Sequence, residues 1–408
     1  MKIQNKLQII VCLLAFLYHS PGFGQKVFID ENTSYWYSIA SELHIAHRTT
    51  IKKDSATIFF EITFNAATGF GDYHYISELH GSYHTLNMLS ADTLAIDAHM
   101  VSIKSKRIYV QLNVPHNDKT DIAVLRLVNK KSGKSYVYDV PLIEDYNFTN
   151  DGLMLYAEDG VTPVVGSFTN QGKQIVVRDD AGYQGPLFGF YYGHSFEEAV
   201  PPMIIDGRPT TRKLEIDSTF MVSANEPIAL NKIGLYFFQK DSSSANGVAL
   251  RVQDAYFPLV KTTEKVLEPL IYISTRTETD KIRNAENPRQ AFEQYWLDLM
   301  KIPSLATSTV SDFYTRVEGA NYLFTNFKEG WKSDMGMIYI VYGPPSEVYK
   351  SEEIIDWVYT GDLRMPTVRF SFYKVKNLFT DQHYSLLRKK TYDKNWFKSV
   401  ELWREGKK

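Results

Sequence analysis

Three histidines, His74, His80 and His84, fall in the short segment DYHYISELHGSYH, with acidic residues beside them. Their even spacing would place them on one face of a β-hairpin, because alternate side chains of a strand point the same way. Imidazole nitrogens that converge in this way can bind zinc, so the segment is a candidate metal site. The spacing matches no established metal motif, and Gly81 should break the strand before the last histidine. We therefore favour partly exposed hairpin histidines, with no metal and no cofactor.

A serine nucleophile would need a sharp strand-to-helix turn with a glycine on each side. The nearest match is Ser195 in GHSFE, where Gly193 precedes the serine but no second glycine follows. The acidic pairs Glu197–Glu198 and Glu352–Glu353 are adjacent in sequence, so on a strand they would face opposite sides and share no substrate. We expect a protein without a catalytic site, and a hydrolase or metal-dependent enzyme is the alternative.

An aromatic run raises a third possibility. Tyr35, Trp36 and Tyr37 are consecutive, and exposed aromatic rings could stack on sugar rings. This run makes a glycan-binding module a further alternative.

The most tightly composed segment of the chain is GWKSDMGMIYIVYGPPSEVY, residues 330–349. It follows a predicted helix, so we expect Gly330 to cap that helix with a positive φ. Trp331 should then fold back over the helix. Ser333 and Asp334 are typical of a turn in which short polar side chains bond the backbone.

The second half of this segment is apolar. The run from Met335 to Tyr342 predicts a strand, which Gly343-Pro344-Pro345 ends because proline cannot donate to a ladder. Every residue can thus have a structural task. A cleft around Trp331 and Asp334 would instead make the segment a site.

The segment resembles the signature of the GWxTD family, Gly-Trp-any-Thr-Asp-Arg-Gly-Arg followed by a Tyr-Ile-any-Tyr-Gly-Pro-Pro run. An upstream helix and two downstream strands fit the family pattern too, so the likeness covers roughly the last 125 residues. We take the matching residues as motif positions with a structural or binding role. They are Gly330, Trp331, Asp334, Gly336, Tyr339, Tyr342, Gly343, Pro344, Pro345, Trp357 and Tyr359.

The chain departs from the family signature at three positions. Ser333 stands for threonine, and Met335 and Met337 stand for the two arginines. The loss of two cations beside Asp334 weakens any role in binding an anion. The resemblance implies an exported bacterial envelope protein with N-terminal β domains, and it implies no established activity.

The pattern of strands and helices predicts a mainly β chain with a C-terminal α+β domain. We expect a first β-sandwich-like, Ig-like domain over residues 25–145 and a second over 146–274, because short strands rich in β-branched and aromatic residues alternate with turns. A GWxTD-type α+β domain should occupy 285–408. Within it, Asn287-Pro288 predicts the start of one helix, Ser311 should cap a second, and DKNWFKSVELWREGKK should form a terminal helix.

The N-terminus predicts export. Lys2 and Lys6 precede the short apolar run from Ile9 to Leu17, and small residues precede a cut before Gln25, so residues 1–24 have the pattern of a signal peptide. Cys12, the only cysteine, lies in that run, which leaves the mature chain without disulfides. No later segment is apolar enough to span a membrane, and the net charge of -2 disfavours nucleic acid as a partner.

Three short sequences resemble an O-glycosylation pattern of exported proteins, Asp followed by Ser or Thr and an apolar residue. The acceptors would be Ser55, Thr93 and Ser218. Such modification would agree with export.

Together these patterns predict a non-enzymatic envelope protein that acts by binding other proteins. We expect a subunit of a periplasmic or outer-membrane-associated assembly, with a location at the cell surface also possible. Its partners would be other envelope proteins, because exposed strand edges suit the addition of a partner strand.

Overall fold

The computed structural model describes residues 30–52, 54–84, 88–117, 119–142, 152–179, 182–205, 214–363 and 365–408. The predicted signal peptide, residues 1–24, lies outside these ranges.

The first part of the chain folds into two four-stranded sheets. Their orders are β1-β2-β6-β5 and β4-β3-β7-β8. Alternate residues of the strands point between the sheets and form one apolar core, which makes a sandwich. The strands are β1 Leu43–Lys52, β2 Ser55–Phe64, β3 Tyr73–His80, β4 Met88–Leu94, β5 Met100–Lys104, β6 Arg107–Pro115, β7 Ile122–Asn129 and β8 Ser135–Pro141, with the short helix α1 Ile96–His99 before β5.

A second pair of sheets follows. One has the order β10-β16-β15-β12-β13 and the other β14-β11-β9, and the two enclose a separate apolar core. Only β10 and β16 run parallel among the described strand pairs of these sheets. The strands are β9 Leu153–Ala157, β10 Phe168–Asn170, β11 Gln174–Asp179, β12 Pro186–Tyr192, β13 Ser218–Ser223, β14 Pro227–Ala229, β15 Gly234–Gln239 and β16 Val248–Gln253.

The C-terminal part packs helices on one face of an antiparallel sheet of order β17-β18-β19-β20. The helices are α2 Thr263–Leu267, α3 Arg276–Arg283, α4 Pro288–Met300, α5 Pro303–Phe324, α6 Asp334–Tyr342 and α7 Asp393–Arg404; the strands are β17 Glu347–Lys350, β18 Ile354–Tyr359, β19 Val368–Lys374 and β20 Tyr384–Leu386. The prediction of a mainly β chain with a C-terminal α+β region is confirmed. None of the described helices is both long and apolar enough to cross a bilayer.

Two predicted helix starts have different outcomes. Helix α4 begins at Pro288, and the side chain of Asn287 accepts a hydrogen bond from the backbone N–H of Gln290, as predicted. The prediction for Ser311 is wrong, because α5 already begins at Pro303 and Ser311 lies inside it. Proline at a first helical position has the φ that a helix needs, which outweighs the weaker signal of the later serine.

The predicted strand from Met335 to Tyr342 is also wrong. These residues form most of α6, and all eight of them are buried. A helix that is apolar on every side has no 3.6-residue period, so its sequence looks like that of a buried strand.

The N-terminal segment joins two sheets. The backbone N–H of Thr33 donates to the carbonyl of Val348 in β17, at 2.9 Å. The indole N–H of Trp36 and the hydroxyl of Tyr35 both donate to the carbonyl of Val137 in β8. Tyr35 and Trp36 thus pack against the first sandwich, and Tyr37 packs against Trp357 and Phe324 in the C-terminal part. Rings that are occupied in this way do not form an open stacking surface.

His47 lies where the first sandwich meets the C-terminal part. Its Nδ1 is 2.9 Å from the hydroxyl of Tyr138, and its Nε2 is 3.9 Å from Asp381. Burial lowers the pKa of His47 from the ordinary 6.5 to about 4, although the carboxylate of Asp381 opposes this effect. The imidazole is therefore neutral in the folded protein at neutral pH.

Acid should weaken the fold through His47. Its pKa is lower in the folded chain, so the stabilisation is present above pH 6.5 and is lost as the pH falls from 6.5 to about 4. Between pH 7 and pH 4 we expect the free energy of unfolding to fall by about 2–3 kcal/mol less in His47→Gln than in the wild type. Urea unfolding at pH 7, 5.5 and 4 measures it, with His74→Gln, an exposed histidine on β3, as the control. If the free energy of unfolding fell equally with pH in the wild type and in His47→Gln, this role of His47 would be contradicted.

Candidate functional site

The first residues of the motif form the turn between α5 and α6. Gly330–Lys332 make a 3-10 turn, and Ser333 is the N-cap of α6. The Ser333 hydroxyl accepts a hydrogen bond from the backbone N–H of Gly336 at 2.9 Å and donates to the carbonyl of Gly330 at 2.7 Å. Serine and threonine can both make this cap, so the departure at Ser333 leaves the structure of the turn intact.

Asp334 occupies the first turn of α6, where a negative charge is favoured by the helix dipole. One carboxylate oxygen accepts the backbone N–H of Leu386 in β20 at 2.8 Å, and both oxygens bind the guanidinium of Arg388. Arg388 also donates to the carbonyl of Val200 at 3.2 Å. Arg388 therefore supplies a cation beside Asp334, where Met335 and Met337 replace the arginines of the family signature.

Two glycines allow three backbone segments to touch. A Cβ on Gly330 would lie 2.0 Å from the carbonyl oxygen of Ala320 in α5, and a Cβ on Gly336 would lie 1.9 Å from the carbonyl oxygen of Gly330. The prediction that Gly330 caps α5 with a positive φ is wrong. The helix α5 ends at Phe324, six residues earlier, and Gly330 then packs back against α5 at Ala320. Close approach, not φ, requires glycine here.

Trp331 is buried, with 3% of its surface exposed. Its backbone N–H donates to the side-chain carbonyl of Asn321, and its carbonyl accepts from the hydroxyl of Tyr272 at 3.0 Å. Both backbone groups of Trp331 are hydrogen-bonded and its side chain is enclosed in the core. We therefore assign Trp331 a structural role.

The end of α6 is closed by the other motif residues. Gly343 has φ +87° at the C-cap, and its carbonyl accepts from the hydroxyl of Tyr359 at 2.8 Å. Tyr339 and Tyr342 lie in the core, and the side chain of Trp357, a residue of β18, is fully buried in the same core. Pro344 and Pro345 lead into β17, whose first residue is Glu347.

A cluster of charges lies beside the motif. The carboxylate of Glu329 is 3.0 Å from Arg251 and 3.6 Å from both Lys265 and Lys332. Burial raises the pKa of Glu329, but attraction to Arg251, Lys332 and Lys265 outweighs burial and brings it to about 2. The amine of Lys332 also donates to the hydroxyl of Ser195 at 3.0 Å.

This contact brings the candidate nucleophile Ser195 to a buried lysine. Ser195 does not lie on a strand-to-helix turn, because residues 193–200 form neither a helix nor a strand. The amine that it contacts belongs to the ion cluster of Glu329. The pairs Glu197–Glu198 and Glu352–Glu353 are largely exposed. The arrangement therefore joins the second sandwich to the turn without providing the elbow of a hydrolase.

The three candidate metal ligands do not converge. His74 and His80 lie on the same face of β3, and His80 is bonded to Glu78, which Arg126 also binds. His84 follows the strand in an irregular segment. Within the described ranges, no group of three His, Cys, Asp or Glu side chains is placed to hold a metal ion.

The three proposed glycosylation acceptors are exposed. Ser55 begins β2, Thr93 lies near the end of β4, and Ser218 begins β13. Their modification stays a prediction.

The fold and this site define a mainly β protein with an α+β C-terminal region built around one glycine-rich turn. Residues 234–405 match the model of the GWxTD domain, so the chain carries a GWxTD domain at its C-terminal end. The match begins at Gly234 and thus includes β15 and β16 of the second pair of sheets. Searches of curated proteins and of solved structures gave no match.

Sequence reasoning missed several residues that complete the site. Arg388 lies 54 residues after Asp334, so no short spacing connects the two, and Glu329 contacts Lys332 of the segment 330–349. A signal for Glu329 was its place directly before the motif glycine, with Lys328 and Lys332 on either side.

The contact of Gly336 can be tested directly. Gly336→Ala should lower the free energy of unfolding by about 3 kcal/mol, because the added methyl group meets a backbone carbonyl that cannot move away. Gly71→Ala is the matched control, since a Cβ there has no neighbour within 4 Å, and it should change stability by less than about 0.5 kcal/mol. Equal urea unfolding curves for the two variants would refute the role of this contact.

Proposed function

We propose that this protein is an exported, non-enzymatic protein of a bacterial envelope and acts by binding other proteins. It would serve as a subunit of a periplasmic or outer-membrane-associated assembly. The export pattern at the N-terminus and the GWxTD domain support the location.

The main support for the proposal is that the motif residues bond to and pack against other residues of the same chain. Ser333 caps a helix, the carboxylate of Asp334 binds Arg388 and a backbone N–H, and Trp331 is enclosed. A catalytic group must instead reach a substrate from a cleft. The most distinctive segment of the sequence therefore has a structural role, which favours a non-enzymatic function.

The junction of the three parts gives the same indication. Its cavity has a volume of about 60 Å³, lined by residues that include His47, Arg48 and Arg251. The guanidinium of Arg48 donates hydrogen bonds to the backbone carbonyls of Val165, Gly166 and Ala249. These bonds connect the first sandwich to the second. A cavity of this size holds a few water molecules, so it supports close packing of the parts more than substrate binding.

Open sheet edges are suited to binding proteins. Strands at the ends of the sheets, such as β4 and β13, offer backbone donors and acceptors to a partner. This property supports protein binding over the enzyme and glycan alternatives.

The test is purification of the tagged mature protein from gently solubilised envelopes, followed by mass spectrometry. We expect envelope proteins in stoichiometric amounts, with an unrelated exported protein carrying the same tag as the control. A monomer that captures nothing would contradict the proposal. Stoichiometric zinc that is lost on His80→Ala would contradict it in favour of a metal enzyme.

A further inference from the structure

We infer that the outer edge of β13 binds an extended, uncharged segment of the partner as an additional strand. This inference rests on the proposed function and names the surface and the chemistry of the partner. Four observations carry it: the closure of other sheet edges, the composition of β13, its regularity and the exposure of Met221.

Three other sheet edges are each covered at one residue by hydrogen bonds from elsewhere in the protein. At β8, the hydroxyl of Tyr35 accepts the N–H of Val137, whose carbonyl is also bound. At β17, the side chain of Asn32 accepts the N–H of Val348. At β20, Asp334 accepts the N–H of Leu386. A chain that covers three edges with its own polar groups leaves the remaining edges as the places where a strand can add.

The edge of β13 has no such cover from any residue that the structure describes. The strand, STFMVS, lies at the end of the order β10-β16-β15-β12-β13. It contains no charged residue and no proline, which are the usual devices that prevent pairing at an edge. Its six pairs with β12 run without a bulge from Ser218 to Ser223, so the ladder is regular.

The edge formed by β4 differs from β13 in these respects. The strand β4 carries Asp92, and its pairing with β3 shifts register between Leu79 and His80. A charge and an irregularity both disfavour the addition of a strand. Of these two edges, β13 is therefore the better template.

The side chains of β13 indicate what kind of segment it would accept. Phe220 and Val222 pack into the core, so the alternate residues point to the opposite face. On that face Met221 is 54% exposed, and it lies directly across from Phe188 of β12. A partner strand would place its own alternate side chains beside Met221. Apolar or small neutral side chains fit there, and a charged one would lose water without a counter-charge.

The test uses a fluorescein-labelled peptide of alternating threonine and valine with glutamine at each end. Fluorescence anisotropy measures its binding to the purified mature protein. Met221→Lys should weaken binding by about tenfold or more, because the charge lies beside the added strand. The matched control is Met88→Lys on β4, where the methionine is 41% exposed, and it should bind like the wild type.

Two further probes separate strand addition from adhesion to an apolar surface. A peptide with alternate backbone nitrogens methylated cannot complete a ladder and should not bind. Thr219→Lys repeats the test at a second position if Met221→Lys does not fold. Equal binding of the methylated peptide, or equal binding by the lysine variants at 221 and 88, would overturn the inference.

The outcomes also separate this inference from the proposed function. If envelope proteins co-purify with both the wild type and Met221→Lys, the protein binds partners through another surface and only the β13 inference fails. If nothing co-purifies, the proposed function fails. A dimer of the pure protein that dissociates on Met221→Lys would overturn the inference, since a second copy would then be the occupant.

Discussion

The C-terminal region depends on one close contact between backbones. Gly330 lies against the carbonyl of Ala320, and Gly336 lies against the carbonyl of Gly330, so helices α5 and α6 meet through the turn between them with no side chain in the way. Because α6 is buried on every side, its position determines where the sheet on one face and the other helices can pack. The cap made by Ser333 and the enclosed Trp331 follow from the same geometry.

The turn also connects the parts of the chain. The carbonyl of Lys332 accepts the N–H of Ala199, Arg388 reaches the carbonyl of Val200, and Arg251 of β16 donates to the carbonyl of Phe327. Each bond joins the segment around the motif to the second sandwich. A family match that begins at Gly234 agrees with this continuity, because β15 and β16 pack against the turn and the region after it.

Local signals predicted what is local in the fold. The alternating strands of the two sandwiches, the start of α4 at Pro288 and the terminal helix are properties of short windows of sequence. The helix α6 could not be predicted in this way, since an apolar run without a period fits a buried helix and a buried strand equally well. The partners of Asp334 lie more than fifty residues away, so no spacing indicated them. The closure of β8 by Tyr35 and Trp36 also depends on tertiary structure, and the same residues had suggested a sugar-binding surface.

We propose that the motif builds the fold and does not itself contact a substrate or a partner. The most direct measurement uses Asp334→Asn and determines, on one preparation, both the free energy of unfolding and the capture of envelope partners. We expect Asp334→Asn to lower the free energy of unfolding by about 1–3 kcal/mol, because the charge that binds Arg388 is removed, and to leave partner capture unchanged under conditions where the variant is folded. Unchanged stability together with lost capture would contradict it and would make Asp334 a site residue.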